Sequence, residues 1–162
     1  MIEIAESHIL DRLELEQYCI ESRKNSKKIV LTLGGFDLLH NGHLKFLEAS
    51  RKYGDILVIG ITDDGYVRRT KGDGRPIQNE YDRAYLTAGF ACVSRVHIFT
   101  DTMDIIELTK PDVFIMSTTS ARSPEDRIEY QEKVREYGGD IVIFDAFSTT
   151  HTSSIIDSMI LK

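Results

Sequence analysis

Short apolar runs alternate with amphipathic stretches along this chain, and the alternation sets the fold class. Ile29–Leu33 (IVLTL), Asp55–Thr62 (DILVIGIT), Val96–Phe99, Val113–Met116 and Ile141–Phe144 each have the length and the β-branched content of a strand. DILVIGIT is almost wholly apolar between its flanking aspartates, as expected of a strand buried on both faces of a parallel sheet. Helical spacing occupies the intervals: Gly42–Tyr53, about Glu80–Ala91 behind a capping Asn79, Met103–Thr109, and Pro124–Tyr137. Ser123-Pro124 starts the last of these and Gly138-Gly139 stops it. Two further helices are predicted outside this core, Asp11–Arg23 with Asp11 as N-cap and Ser153–Leu161 at the C-terminus. Strand and helix in alternation imply an α/β, doubly wound, five-stranded parallel sheet of Rossmann-like type with right-handed crossovers. Such sheets bind ligands beyond the carboxyl ends of their strands, where the strand order reverses.

Composition narrows the class further. The 162 residues are read as a single domain, 1–162, with 1–27 an N-terminal helical extension packed on it. A net charge of -6 argues against a nucleic-acid surface. No apolar run reaches membrane-spanning length, and MIEIAESHIL lacks the basic region of a signal peptide, so no membrane partner and a cytoplasmic location are expected. Cys19 and Cys92 have no C-x-x-C spacing, so neither a disulfide framework nor a metal knuckle is suggested. The basic run Arg23, Lys24, Lys27 and Lys28 reads as a solvated helix end.

The chemistry concentrates in Thr32–Glu48, TLGGFDLLHNGHLKFLE. Gly34 and Gly35 at the strand exit let a ligand approach the backbone closely. Gly42 lies at the first turn of a helix, where unpaired N–H groups and the helix dipole attract anions. His40 and His43, three apart, can face one ligand with switchable N–H donors, and Lys45 adds a fixed positive charge. Together these groups suit the stabilisation of charge on a transferring phosphoryl group. A bare H-x-x-H could be surface residues, or with Asp37 a metal site. The glycine-rich turn after a strand, without a cysteine cluster, favours the phosphate reading, and no metal-binding residues are assigned.

The run GGFDLLHNGHLKFLEASRKYGDILVIGITDD resembles the H-x-G-H nucleotidyltransferases, the superfamily of cytidylyltransferases and of heptose-phosphate and phosphopantetheine adenylyltransferases. Such enzymes join a nucleoside triphosphate to a phosphate-bearing acceptor and release pyrophosphate. The resemblance extends from about Lys28 to the C-terminus. It implies His40, His43 and Lys45 as catalytic, and Thr32, Gly34, Gly35, Phe36, Asp37 and Gly42 as nucleotide-binding. Mg²⁺ is the implied cofactor, carried on the triphosphate, and homodimers are common among relatives.

Other segments gain meaning from the same likeness. Arg68–Pro76 (RRTKGDGRP) holds four cations and two glycines, and reads either as a mobile loop that closes over polyphosphate or as a solvated loop. It lacks the P-loop and dinucleotide fingerprints. KGDGRPI is similar to the KGEGRPI of heptose-phosphate adenylyltransferases. The following NEYDRAYLTAGF resembles their EDR-containing helix, which makes Arg83 a phosphate contact. Asp63, Arg69, Lys71 and Arg75 join it as acceptor and phosphate ligands. Near the C-terminus, hydroxyl-rich Thr149–Ile156 aligns with the family's S-T-T-x-I-I, placing Thr152 and Ser153 on the nucleotide, although hydroxyls before a helix also serve as caps.

Departures bear on the substrate. Asp145 stands where cytidylyltransferases of glycerol phosphate and ethanolamine phosphate carry arginine. Met116–Ser120 (MSTTS) replaces both their G-D-D and the heptose enzymes' K-G-G-D-Y, and Leu33 replaces an asparagine. The implied activity is adenylyl transfer from ATP to a sugar phosphate such as heptose 1-phosphate. Cytidylyl transfer to a sugar or polyol phosphate is the alternative. A nucleotide-binding regulatory domain without turnover is the rival from another class.

Overall fold

The computed structural model describes residues 4–118, 124–145 and 147. A 3₁₀ turn at Ala5–His8 leads into α1 (Arg12–Lys24), β1 (Ile29–Gly34), α2 (Asn41–Arg51), β2 (Ile56–Thr62), α3 (Asp64–Lys71) and α4 (Glu80–Ala88). The chain continues through β3 (Arg95–Phe99), α5 (Thr102–Thr109), β4 (Val113–Ser117), α6 (Pro124–Glu136) and β5 (Asp140–Phe144). The strands form one sheet in the order β3-β2-β1-β4-β5, every pairing parallel. All five expected strands are present, and their order reverses between β1 and β4. The ligand crevice therefore lies beyond Gly34 and Ser117.

Period-two alternation divides the core between the sheet's two faces. Leu31, Val58 and Phe114 pack under Leu15 and Cys19 of α1, Ile105 and Ile106 of α5, and Val134 of α6. Val30, Leu57, Ile59 and Ile115 face Leu47 of α2 and Ala84 and Ala88 of α4. Covering both faces lets β2 remain apolar and buried along its whole length. The expected N-caps hold: Asp11 accepts from Glu14 N at 2.9 Å, and Asn79 accepts from Asp82 N at 2.9 Å. The N-terminal extension is tied to the sheet by Leu10 N donating to Val96 O at 2.9 Å, beside α1's buried Leu15 and Cys19.

One helix was not anticipated. Asp64–Lys71 is helical, so Arg68, Arg69 and Lys71 stand in its last turn rather than in a loop. Val67 is its single buried residue, and eight mostly polar residues running into Gly72 are too short a window to stand out as a helix. Ser123, the start expected for α6, and the helix expected over 153–161 lie outside the described residues. Among the described residues, no helix is long and apolar enough to cross a membrane.

Candidate active site

The turn between β1 and α2 is held in an unusual backbone shape. Phe36 has φ 48° and Leu38 has φ 46°, both in the left-handed region. For non-glycine residues this costs roughly 1–3 kcal/mol each and persists only where surrounding contacts enforce it. Phe36 is buried, and its ring fills the space a side chain on Gly34 would need: a Cβ there would lie 2.8 Å from Cε2 of Phe36. The glycine thus admits Phe36 rather than leaving open backbone. Gly35 is roomier, a Cβ meeting nothing nearer than 3.8 Å.

Beyond this turn the two histidines meet. Their ring centroids are 4.0 Å apart, and His43 also lies 5.4 Å from the Phe36 ring. His40 is the N-cap of α2, its Nδ1 accepting from Gly42 N at 3.1 Å. His43 Nδ1 accepts from His40 N at 3.3 Å. Both Nδ1 atoms are acceptors, so the proton of each neutral ring resides on Nε2. Two backbone bonds thereby define the tautomer, leaving Nε2–H as the donating end of each imidazole. Lys45 is exposed on α2 two residues past His43, a spacing that does not put the two on one helix face.

Asp37 and Arg83 differ from expectation, both being turned into the protein. Asp37 is 3% exposed, and its carboxylate accepts from Ile77 N at 3.0 Å, Gln78 N at 3.1 Å and Arg75 Nε at 3.0 Å. Arg75 Nη2 lies 2.9 Å from the same carboxylate. Arg83 is fully buried and donates to Gln78 O at 3.0 Å, Thr62 O at 2.8 Å, Asp64 Oδ1 at 2.7 Å and Gly35 O. Each of its nitrogens has a protein acceptor, so it braces the β1 turn from below instead of reaching a phosphate. Spacing on α4 carries the signal: Arg83 shares the buried stripe of Ala84, Thr87 and Ala88. Thr32 is likewise sealed within the sheet, fully buried with its Oγ1 lacking a protein partner.

The cationic segment divides in two. Its later half, Arg75–Gln78, is fastened to Asp37, whereas Gly72 and Gly74 have positive φ in open surroundings. Lys71 projects from the end of α3, and its pKa is pushed below the ordinary lysine value. Partial loss of water is the first cause, followed by repulsion from Arg75, with Asp37 partly offsetting it. Arg69 lies over the Tyr66 ring at 5.9 Å, and Asp63 caps α3 by accepting from Tyr66 N at 2.9 Å. Thr119, Ser120, Thr152 and Ser153 lie outside the described residues. Among the described residues, no three or more His, Cys, Asp or Glu side chains converge as a metal site.

A family model described as cytidylyltransferase-like matches residues 31–160. A protein named Bifunctional protein HldE from Koribacter versatilis is 38% identical over 154 residues, which are 92% of this chain and 31% of that one. Its namesake in Desulfatibacillum aliphaticivorans is 39% identical over 148 residues, covering 90% of this chain and 30% of that one. The chain thus spans about a third of the length of these relatives. Among solved structures, a lipopolysaccharide core biosynthesis protein from Thermoplasma volcanium GSS1 superposes with a TM-score of 0.64 at 27% identity, covering 76% of this chain and 99% of that one. A pantoate-beta-alanine ligase from Francisella tularensis, at 12% identity and a TM-score of 0.55, shares the fold alone; the match covers 90% of this chain and 68% of that one. With the family model matching residues 31–160, from β1 to the C-terminal region, the chain belongs to the cytidylyltransferase-like family of nucleotidyltransferases.

Proposed function

We propose that this chain transfers an adenylyl group from ATP to the phosphate of a sugar phosphate, with heptose 1-phosphate as the first candidate. The observation that carries the reading is the histidine pair: two imidazoles 4.0 Å apart, tilted by 37°, at a helix N-terminus, each fixed as the Nε2–H tautomer by a backbone bond. An acceptor phosphate oxygen attacks the α-phosphorus, the bond from that phosphorus to the bridging oxygen breaks, and pyrophosphate leaves. No covalent intermediate on the protein is required. His40 and His43 donate to the triphosphate as charge builds, while the Gly42 N–H is spent on His40 Nδ1 and orients that ring. Gly34, Gly35 and Phe36 shape the turn that receives the nucleotide, with Thr152 and Ser153 completing it. Lys71 and Arg69, with Lys45 from α2, supply positive charge to pyrophosphate or acceptor.

Mg²⁺ would arrive on the triphosphate. Asp37 is spent on Arg75 and two backbone amides and Asp63 on a helix cap, so the donors here suit an ion held mainly by phosphates and water. When bound it neutralises phosphate charge. The adenylyl choice rests on KGDGRPI, on Asp145 in place of the cytidylyl branch's arginine, and on relatives named HldE. Calorimetric titration with ATP and with CTP, each with Mg²⁺, tests that choice without an acceptor. Tighter ATP binding is expected, and CTP binding tenfold tighter than ATP would overturn it in favour of cytidylyl transfer. Binding with no turnover on any acceptor would favour a regulatory domain.

A further inference from the structure

Asp37 carries a role beyond the reading above. It lies between the two left-handed residues of the turn, Phe36 and Leu38, and only three positions before His40. Its buried carboxylate collects two backbone amides, Ile77 N and Gln78 N, and both the Nε and Nη2 of Arg75. Those donors come from a segment about forty residues away in sequence. Arg83 meets the same two segments from below, donating to Gly35 O and to Gln78 O. The turn and the 75–78 segment are therefore stitched together twice, at Gly35 before the strained residues and at Asp37 between them.

We infer that Asp37 is a positioning residue: its carboxylate holds Leu38 left-handed, and so aims His40 and His43. A left-handed leucine relaxes toward the ordinary regions unless something restrains it. Relaxation at Leu38 redirects the chain just before His40, which caps α2 and fixes the tautomer of His43 through its own N–H. A carboxylate is the group suited to this task. It accepts several bonds at once, and the guanidinium of Arg75 balances its charge where little water reaches. The inference rests on the nucleotide reading of the histidine turn for its effect on turnover, but the clamp itself is testable without turnover.

Amide hydrogen exchange on the wild-type chain comes first. Ile77 and Gln78 amides should exchange far more slowly than that of Gly74, and exchange at the free-chain rate would overturn the clamp even in an active enzyme. Asp37→Asn keeps the size but loses the charge. It should lower kcat roughly a hundredfold, the scale of a misaligned catalytic group, while the Kd for ATP from calorimetry changes less than about threefold. An unchanged kcat would overturn the inference. A Kd weakened as much as kcat would do so too, by making Asp37 a ligand contact. In the double variant D37N/L38G, glycine removes the left-handed penalty, and roughly tenfold of the lost kcat should return. No recovery would refute the link through Leu38. If D37N does not fold, the wild-type exchange result decides. If the wild-type chain releases no pyrophosphate from any nucleotide, the functional reading fails while the exchange result stands.

Discussion

Replacing Arg83 with methionine separates a brace from a ligand contact. Methionine matches the aliphatic stem but removes a fully buried guanidinium that donates to three backbone carbonyls and to the Asp64 carboxylate. Leaving one member of a buried, hydrogen-bonded charge pair without its partner costs about 3–5 kcal/mol. Stranding the Gly35, Thr62 and Gln78 carbonyls at about 1 kcal/mol each, with a further 1.5–3 kcal/mol or so for the bond to Asp64, gives a figure of the same size. For a chain of this length each kcal/mol moves Tm by about 2–4 °C, so Arg83→Met should melt roughly 6–20 °C lower. Arg83→Lys keeps the charge without the planar fork and should fall between Arg83→Met and wild type. Thermal unfolding followed by circular dichroism, with urea titration alongside, reads the difference. A methionine variant that melts within 2 °C of wild type yet loses turnover would refute the reasoning and return Arg83 to the phosphate role that the sequence suggested.

The remaining predictions concern the histidines, the cationic segment and the core. His40→Asn can still cap α2, because an asparagine oxygen accepts where His40 Nδ1 did, so its Tm should stay near wild type while kcat falls about a hundredfold with the lost donor. His43→Ala should show the same fall in kcat; near-normal turnover in either would remove that histidine from the mechanism. Loss of water and then repulsion from Arg75 lower the Lys71 pKa; the negative charge of a phosphate bound beside it favours the protonated form, so calorimetry in buffers of differing ionisation heat should record proton uptake with ATP at alkaline pH. Lys71→Met should abolish that uptake, and its persistence would point to another group. Burial pushes the Cys19 thiol from 9.0 up to about 11. The unfolded chain ionises this thiol first as pH rises, so the stability from its burial is complete below pH 9 and lost between 9 and 11. Wild type should therefore lose several degrees more than Cys19→Ala over that window, and parallel pH curves would contradict the assignment.

The fold was legible because its strands are short apolar runs of one period and its caps are local. Asp11 and Asn79 each accept from the residue three positions on, a pattern visible in any window of sequence. The histidine turn was legible for the same reason, strand, glycines, cap and helix being contiguous. What stayed hidden depends on distance. Asp37 meets Ile77 and Gln78 across about forty positions, and no spacing rule connects them. Arg83 was read as a phosphate ligand from its place in a helix resembling the family's EDR-containing one; only its position on the stripe with Ala84, Thr87 and Ala88 hinted at an inward course. α3 was missed because it has only eight residues, most of them polar, and runs straight into Gly72.

The central claim is nucleotidyl transfer at the His40–His43 turn, and pyrophosphate release tests it most directly. Wild type and His43→Ala should be assayed over the four nucleoside triphosphates with Mg²⁺ and a panel of sugar, polyol and pantetheine phosphates. The account predicts pyrophosphate from ATP with a sugar phosphate, together with an adenylylated product, at a rate about a hundredfold lower in His43→Ala. No pyrophosphate from any pairing, or equal release by the two proteins, would contradict it.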